Sequence, residues 1–123
     1  MKSKDQKETR QLSFCGWLPW WDYDNALKES QSQNGLFDVI SPFVYLLDEN
    51  GRVITKTDIK LSELQKSSYK VIPTIYNDFD PERVSNIIRD QKNLTNHVDE
   101  LTKLVLDNDF DGIEIDYEYL KVD

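Results

Sequence analysis

The run Phe37 to Leu47, FDVISPFVYLL, constrains the fold more than any other stretch of this chain. It is almost continuously apolar and rich in β-branched and aromatic side chains. A strand with one wet face alternates polar and apolar residues with a period of two, so a run without alternation suits a strand covered on both sides. Strands of that kind belong to parallel sheets with helices packed over them. Asp48-Glu49-Asn50-Gly51 closes the run as a turn, and Arg52 to Thr55 reads as a short returning hairpin arm.

The flanking segments extend this pattern. Leu12 to Trp17 is a short aromatic strand that closes on Pro19, Trp20 and Trp21. Asp22 or Asp24 then caps a helix from about Asn25 to Gln33, ended by Asn34-Gly35. A polar helical stretch around Asp58 to Lys66 leads to a third strand at Tyr69 to Tyr76. Asp80-Pro81-Glu82 is a strong helix start: a capping acid, a proline in the first turn, then another acid at the positive end of the dipole. Val84, Ile87 and Ile88 mark one helical face, Asn93 and Thr95 interrupt it, and Val98, Leu101, Leu104 and Val105 mark a second. Gly112 to Tyr117 is the fourth strand. Strands separated by helical crossovers predict an α/β parallel sheet, with functional residues at the carboxyl ends of the strands. Trp20, Tyr45, Asn77 and Glu118 fall at such ends. The predicted domain occupies residues 12–123, and residues 1–11 form a polar, disordered arm.

Charge excludes several classes of function. A net charge of −8 opposes nucleic-acid binding, where affinity comes largely from neutralising phosphates. It equally opposes an anionic membrane surface, and no apolar run approaches the roughly 20 residues needed to cross a bilayer. Cys15 is the only cysteine, so neither an intramolecular disulfide nor a cysteine metal cluster is available. The opening MKSKDQKETRQL carries positive charge but no apolar segment behind it, so it reads as a polar arm or as what remains after removal of a leader. His97, on a helix among polar neighbours, is expected in solvent and is assigned no role. Asn93-Leu94-Thr95 matches the N-glycosylation acceptor pattern, which is short enough to occur by chance.

The segment DFDGIEIDYEYL, residues 109–120, carries the densest chemistry. Glu114, Asp116 and Glu118 run two apart beside Ile113, Ile115 and Tyr117, so in a strand the acids share one face and the apolar residues the other. In one reading the strand is half wet and the acids look at water; the α/β order weighs against this, because parallel strands are usually covered on both sides. A second reading is calcium. Asp107, Asp109, Asp111, Gly112 and Glu118 satisfy the spacing of an EF-hand-like loop over 107–118, although Glu114 stands where an aliphatic residue belongs and no exiting helix follows. In the third reading the protein gathers carboxylates in a pocket. That arrangement costs several kcal/mol per buried ion unless compensated, and is seldom kept without a chemical use.

DGIEIDYE resembles the signature of glycoside hydrolase family 18, Asp-Gly-x-Asp-x-Asp-x-Glu, which lies on the fourth strand of a TIM barrel. FCGWLPWWD is similar to the family's aromatic first strand, SPFVYLLDENGRV to its second strand and hairpin, and KVIPTIYN to its third. SPFVY and VIPTIYN are in the style of the spore-type and chitinase-like branch that acts on N-acetylglucosamine polymers. The resemblance runs from about Ser13 onward and implies a fold class: α/β, the N-terminal half of a TIM (β/α)8 barrel with about four βα units.

It also implies roles. Glu118 matches the general acid that protonates the glycosidic oxygen. Asp116 matches the acid that orients and charge-stabilises the substrate's acetamido group, whose oxygen is the nucleophile in this family. The two are separated by one strand repeat, roughly 7 Å, so both reach one sugar unit. Glu114 stands where the family has aspartate; an inward acid there is implied to share a proton with Asp116 and keep Glu118 protonated near neutral pH. The third strand departs from the Ser-x-Gly-Gly of typical chitinases and reads Pro73-Thr74-Ile75-Tyr76-Asn77. Trp17, Trp20 and Trp21 are candidates to stack on pyranose rings, and Tyr45 and Asn77 to hydrogen-bond the sugar or Asp116. No metal and no cofactor is expected.

A TIM barrel typically needs about 250 residues and eight strands, and four strands are legible here. The later strands, which in the family carry a substrate-orienting tyrosine and a tryptophan floor, have no counterpart. The isolated chain is therefore expected to lack turnover, and its unpaired strand edges to favour self-association. The expected partner is an N-acetylglucosamine-containing polysaccharide or oligosaccharide, of chitin or peptidoglycan type, with no nucleic acid and no membrane. Such substrates lie outside the cell and point to a secreted, cell-surface or spore-associated protein, with no signal for it legible in the opening residues. A non-catalytic glycan-binding or calcium-binding fragment is the alternative.

Overall fold

The computed structural model describes residues 12–33, 35–57, 61–64 and 68–121. The arm expected over 1–11 lies outside the described residues, and of the helix expected over 58–66 only α2, Leu61–Leu64, lies within them. Strand β1, Cys15–Pro19, leads through a short 3-10 turn at Trp20–Asp22 into helix α1, Tyr23–Ser32. The apolar run forms β2, Val39–Leu47, and the hairpin arm β3 is Val53–Thr55. Strands β4, Lys70–Val71, and β5, Thr74–Tyr76, precede helices α3, Pro81–Ile88, and α4, Gln91–Asp107. Strand β6 is Glu114–Asp116.

The sheet follows the order β1-β2-β5-β6, with each neighbouring pair parallel. β3 lies antiparallel on the far end of β2, and β4 lies parallel on its start. β2 is central, as its composition requires: Ile40, Val44 and Leu47 are at most 1% exposed. Around them pack Leu27 of α1, Leu64 of α2, Val84 and Ile87 of α3, and Leu101 of α4. β1 begins and ends later than the aromatic pattern suggests, because its ladder with β2 runs from Cys15↔Val39 to Pro19↔Phe43.

Two irregularities on β2 set which side chains reach the working face. The strand expected over Tyr69 to Tyr76 is interrupted at Ile72 and Pro73. β2 pairs at Ile40↔Val71, loses the regular ladder, and resumes in the same register at Phe43↔Thr74. That register sets Pro42 opposite Pro73, two residues with no N–H to donate, and both are under 2% exposed. A bulge then follows at Val44, since Phe43 pairs with Thr74 but Tyr45 pairs with Ile75. The extra residue turns Tyr45 to the face opposite Phe43.

The helix starts follow local chemistry. Asp80 caps α3 by accepting from the Glu82 N–H at 3.0 Å, and Asp90 caps α4 by accepting from the Asn93 N–H at 2.9 Å. The break between these helices therefore falls at Arg89 and Asp90, ahead of the expected interruption at Asn93 and Thr95. The expectation for His97 is overturned. It is 6% exposed and completes the stripe Leu94, His97, Leu101, Leu104, whose three- and four-residue spacings put it on the buried face of α4. Val98, expected on that face, is 53% exposed.

Candidate active site

The parallel register β1-β2-β5-β6 gathers one set of side chains on one face of the sheet. Cross-strand partners share a face, so Thr74 stands with Glu114, and Tyr76 with Asp116. At the carboxyl ends of these strands lies a cleft of about 340 Å³. Its lining combines the carboxylates of Asp78, Asp116 and Glu118 with the rings of Trp20, Trp21, Phe43, Tyr76 and Phe79. Phe43 stacks on Tyr76 with ring centroids 4.6 Å apart, which presents a continuous aromatic surface. Trp20 and Trp21 meet edge-on at 5.7 Å, and the Lys56 ammonium sits 5.0 Å from the Trp20 ring centroid. Acids and aromatic rings lining one cleft suit a polar ligand with flat apolar faces.

Glu114 lies deeper than the other two acids. Its Oε2 accepts from the Trp17 indole Nε1–H and the Thr74 hydroxyl, both at 2.9 Å. The side chain therefore swings toward β1 and β5, where an aspartate would be one methylene shorter. Trp17 is 61% exposed and tilts against Phe43 at 6.0 Å, on the same face as the cleft but outside its lining. Trp17 and Thr74 together fix one oxygen of Glu114.

Glu118 stands two residues beyond the end of β6 at Asp116. Its backbone is held by Asn77, which follows β5 directly. Asn77 Oδ1 accepts from the Glu118 N–H at 2.9 Å, and Asn77 Nδ2 donates to the Glu118 carbonyl at 2.9 Å and to the Asp80 carbonyl at 3.1 Å. Tyr117 points the other way, into the helix layer. Its hydroxyl lies 2.7 Å from His97 Nε2, and burial raises its pKa. Burial likewise lowers the His97 pKa, against a smaller opposing effect from Glu100.

Of the residues singled out from sequence, Asp116, Glu118, Trp20 and Asn77 line the cleft, while Glu114 and Trp17 join each other beside it. Tyr45 does not take part. It is 4% exposed, packs edge-on against Phe110 at 6.3 Å, and has its pKa raised by burial. The bulge at Val44 is the reason, since an unbroken period of two would have set Tyr45 beside Phe43. Asn77 has its amide committed to backbone rather than turned to a ligand. Phe43, Tyr76 and Phe79 were not foreseen; Tyr76, two residues after Thr74 on one strand face, was accessible from alternation alone. The calcium reading finds no support in the geometry. Asp107 pairs with Lys103 on α4, the Asp111 carboxylate accepts from the Val71 N–H at 2.8 Å, and among the described residues no three metal-ligating side chains converge.

Solved structures share this arrangement. The Bacillus cereus spore cortex-lytic enzyme SleL superposes with a TM-score of 0.75 at 12% identity, covering 89% of this chain and 28% of SleL. A chitinase from Chromobacterium violaceum gives 0.70 at 15% identity, covering 85% of this chain and 35% of that protein. A chitinase from Rhizomucor miehei gives 0.70 at 17% identity, over 88% of this chain and 29% of that one. The chain thus spans about a third of the length of the solved proteins it matches. No family model matches the chain, and no curated protein matches it. At these identities the likeness is one of fold: this is a chitinase-like α/β fold, corresponding to part of a TIM barrel.

Proposed function

We propose that this chain carries the acid side of a glycosidase site for N-acetylglucosamine-containing glycans, of chitin or peptidoglycan type. The observation that carries the reading is the joint presence of Asp116 and Glu118 in one cleft with the rings of Trp20, Trp21, Phe43 and Tyr76. Sugar rings have flat apolar faces that pack on aromatics, and hydroxyls and amides that bond to carboxylates.

Glu118 acts as general acid and protonates the glycosidic oxygen as the bond to the anomeric carbon breaks. The substrate's own acetamide oxygen attacks that carbon, while Asp116 accepts from the acetamide N–H and stabilises the charge that develops there. Water then opens the cyclic intermediate, with the Glu118 carboxylate taking its proton, so configuration is retained. Glu114, two residues before Asp116 on β6, is fixed by Trp17 and Thr74. Among the described residues β6 pairs with β5 alone, and a site covered on one side neither encloses a sugar nor excludes water from the leaving group. The chain alone therefore binds glycan without turning it over.

Titration of the purified chain with N-acetylglucosamine tetramer, followed by tryptophan fluorescence and reducing-sugar release, tests the reading. Saturable quenching that survives Glu118→Gln is expected, with no sugar release. Absence of any saturable response would overturn it, as would release that persists in Glu118→Gln.

A further inference from the structure

We infer that Asn77 is a positioning residue for Glu118: it holds the backbone on which the proton donor is mounted and binds no sugar itself. This rests on reading Glu118 as the acid, but its geometry stands apart from that reading.

Glu118 lies past Asp116, the last residue of β6, so the sheet ladder no longer fixes its main chain. What replaces the ladder is one side-chain amide. Asn77 Oδ1 receives the Glu118 N–H at 2.9 Å, and Nδ2 gives one hydrogen to the Glu118 carbonyl at 2.9 Å and the other to the Asp80 carbonyl at 3.1 Å. Both amide hydrogens are spent, and the side chain is 1% exposed. Gripping the N–H and the C=O of one residue restricts its φ and ψ, and with them the direction in which Cα–Cβ enters the cleft.

The loops on either side need such a grip. Asp78 and Phe79 have φ of 54° and 58°, and Tyr119 has φ of 54°, all in the left-handed region that non-glycine residues rarely adopt. The two strained tips touch, with the Phe79 and Tyr119 rings edge-on at 5.5 Å. Contacts that hold strained backbone beside a cleft are the ones expected to fix reactive groups. The chemistry also selects asparagine. The site requires one acceptor and two donors on a short planar group; aspartate offers acceptors only and would face two carbonyl oxygens, and glutamine is one methylene too long.

Amide hydrogen exchange in the 123-residue chain, read by NMR at Glu118, tests this without sugar or turnover. Asn77→Asp keeps the volume and breaks the donor side of the grip. At about pH 7.5 it should speed exchange at Glu118 roughly tenfold or more over the native chain, while Ile75 and Leu101 stay protected. At about pH 5, measured against the native chain, protection should return. The carboxyl then has around it Asp78 and Asp80 of its own loop, Asp116 at the end of β6 and Glu118 just beyond it, against Arg83 of α3, so it takes up a proton and regains a donor. Asn77→Ala should lose protection at both pH values.

Unchanged exchange at Glu118 in both variants would overturn the proposal. So would loss spread equally over the whole chain, or loss in Asn77→Asp that persists at about pH 5. A grip found intact alongside failed tetramer binding would refute the glycosidase reading alone, and the reverse result would refute the grip alone.

Discussion

Tyr117→Phe isolates the link between the helix layer and the strand that carries the acids. The substitution removes one oxygen, 2.7 Å from His97 Nε2, and nothing else. His97 is 6% exposed and its Nδ1 has no partner among the described residues, so the variant leaves both ring nitrogens unbonded in the interior. Stranding a buried polar group costs about 1–3 kcal/mol, which in a domain of this size lowers the melting temperature by roughly 5–15 °C. The same pair sets a pH dependence. Burial lowers the His97 pKa from its ordinary 6.5, and Glu100 offsets this only in part. The unfolded chain then binds a proton that the folded chain refuses, so stability rises with pH across the window between the folded value and 6.5. The contribution is complete above that window and is lost as the pH falls through it. Urea denaturation of the native chain, Tyr117→Phe, His97→Leu and the double variant, at several pH values, completes a cycle. His97→Leu should flatten the acid limb, and Tyr117→Phe should cost little in that background. An equal cost in both backgrounds, or stability that falls as pH rises through the window, would refute the reasoning.

Two glycines separate backbone strain from crowding. Gly51, at φ 74°, would bring an added Cβ to 2.7 Å from Ile87 Cγ1, whereas a Cβ added at Gly35, at φ 82°, meets nothing within 4 Å among the described residues. Gly35→Ala should cost about 1–2 kcal/mol and Gly51→Ala about 2–5 kcal/mol by urea denaturation, and equal losses would contradict the packing of the hairpin on α3. Asp80→Ala removes the α3 cap and the 3.3 Å ion pair with Arg83, and should lower stability by about 1–2 kcal/mol, with Asp80→Asn recovering most of it. Thr74→Val deletes a fully buried donor to Glu114 and should cost about 1 kcal/mol. Trp17→Phe, at an exposed position, should cost less by the same assay, and the opposite order would show that burial does not set the value of these bonds.

The sequence by itself determined the architecture and the carboxylate face. An unalternating β2 demands cover on both sides, the capping acid Asp80 ahead of Pro81 starts α3, and a period of two puts Glu114 and Asp116 on one face of β6. These are local regularities, and local sequence states them. Even His97 was legible in principle, as a member of the stripe from Leu94 to Leu104. Only the tertiary structure decided where regularity fails. Pro42 and Pro73 come opposite each other because two distant segments align, and the Val44 bulge then takes Tyr45 away from the cleft and into the core. The amide of Asn77 is spent on Glu118, 41 residues away, which its neighbours in the chain do not reveal. A bulge or a long-range hydrogen bond depends on how two segments meet, so it is a property of the pair.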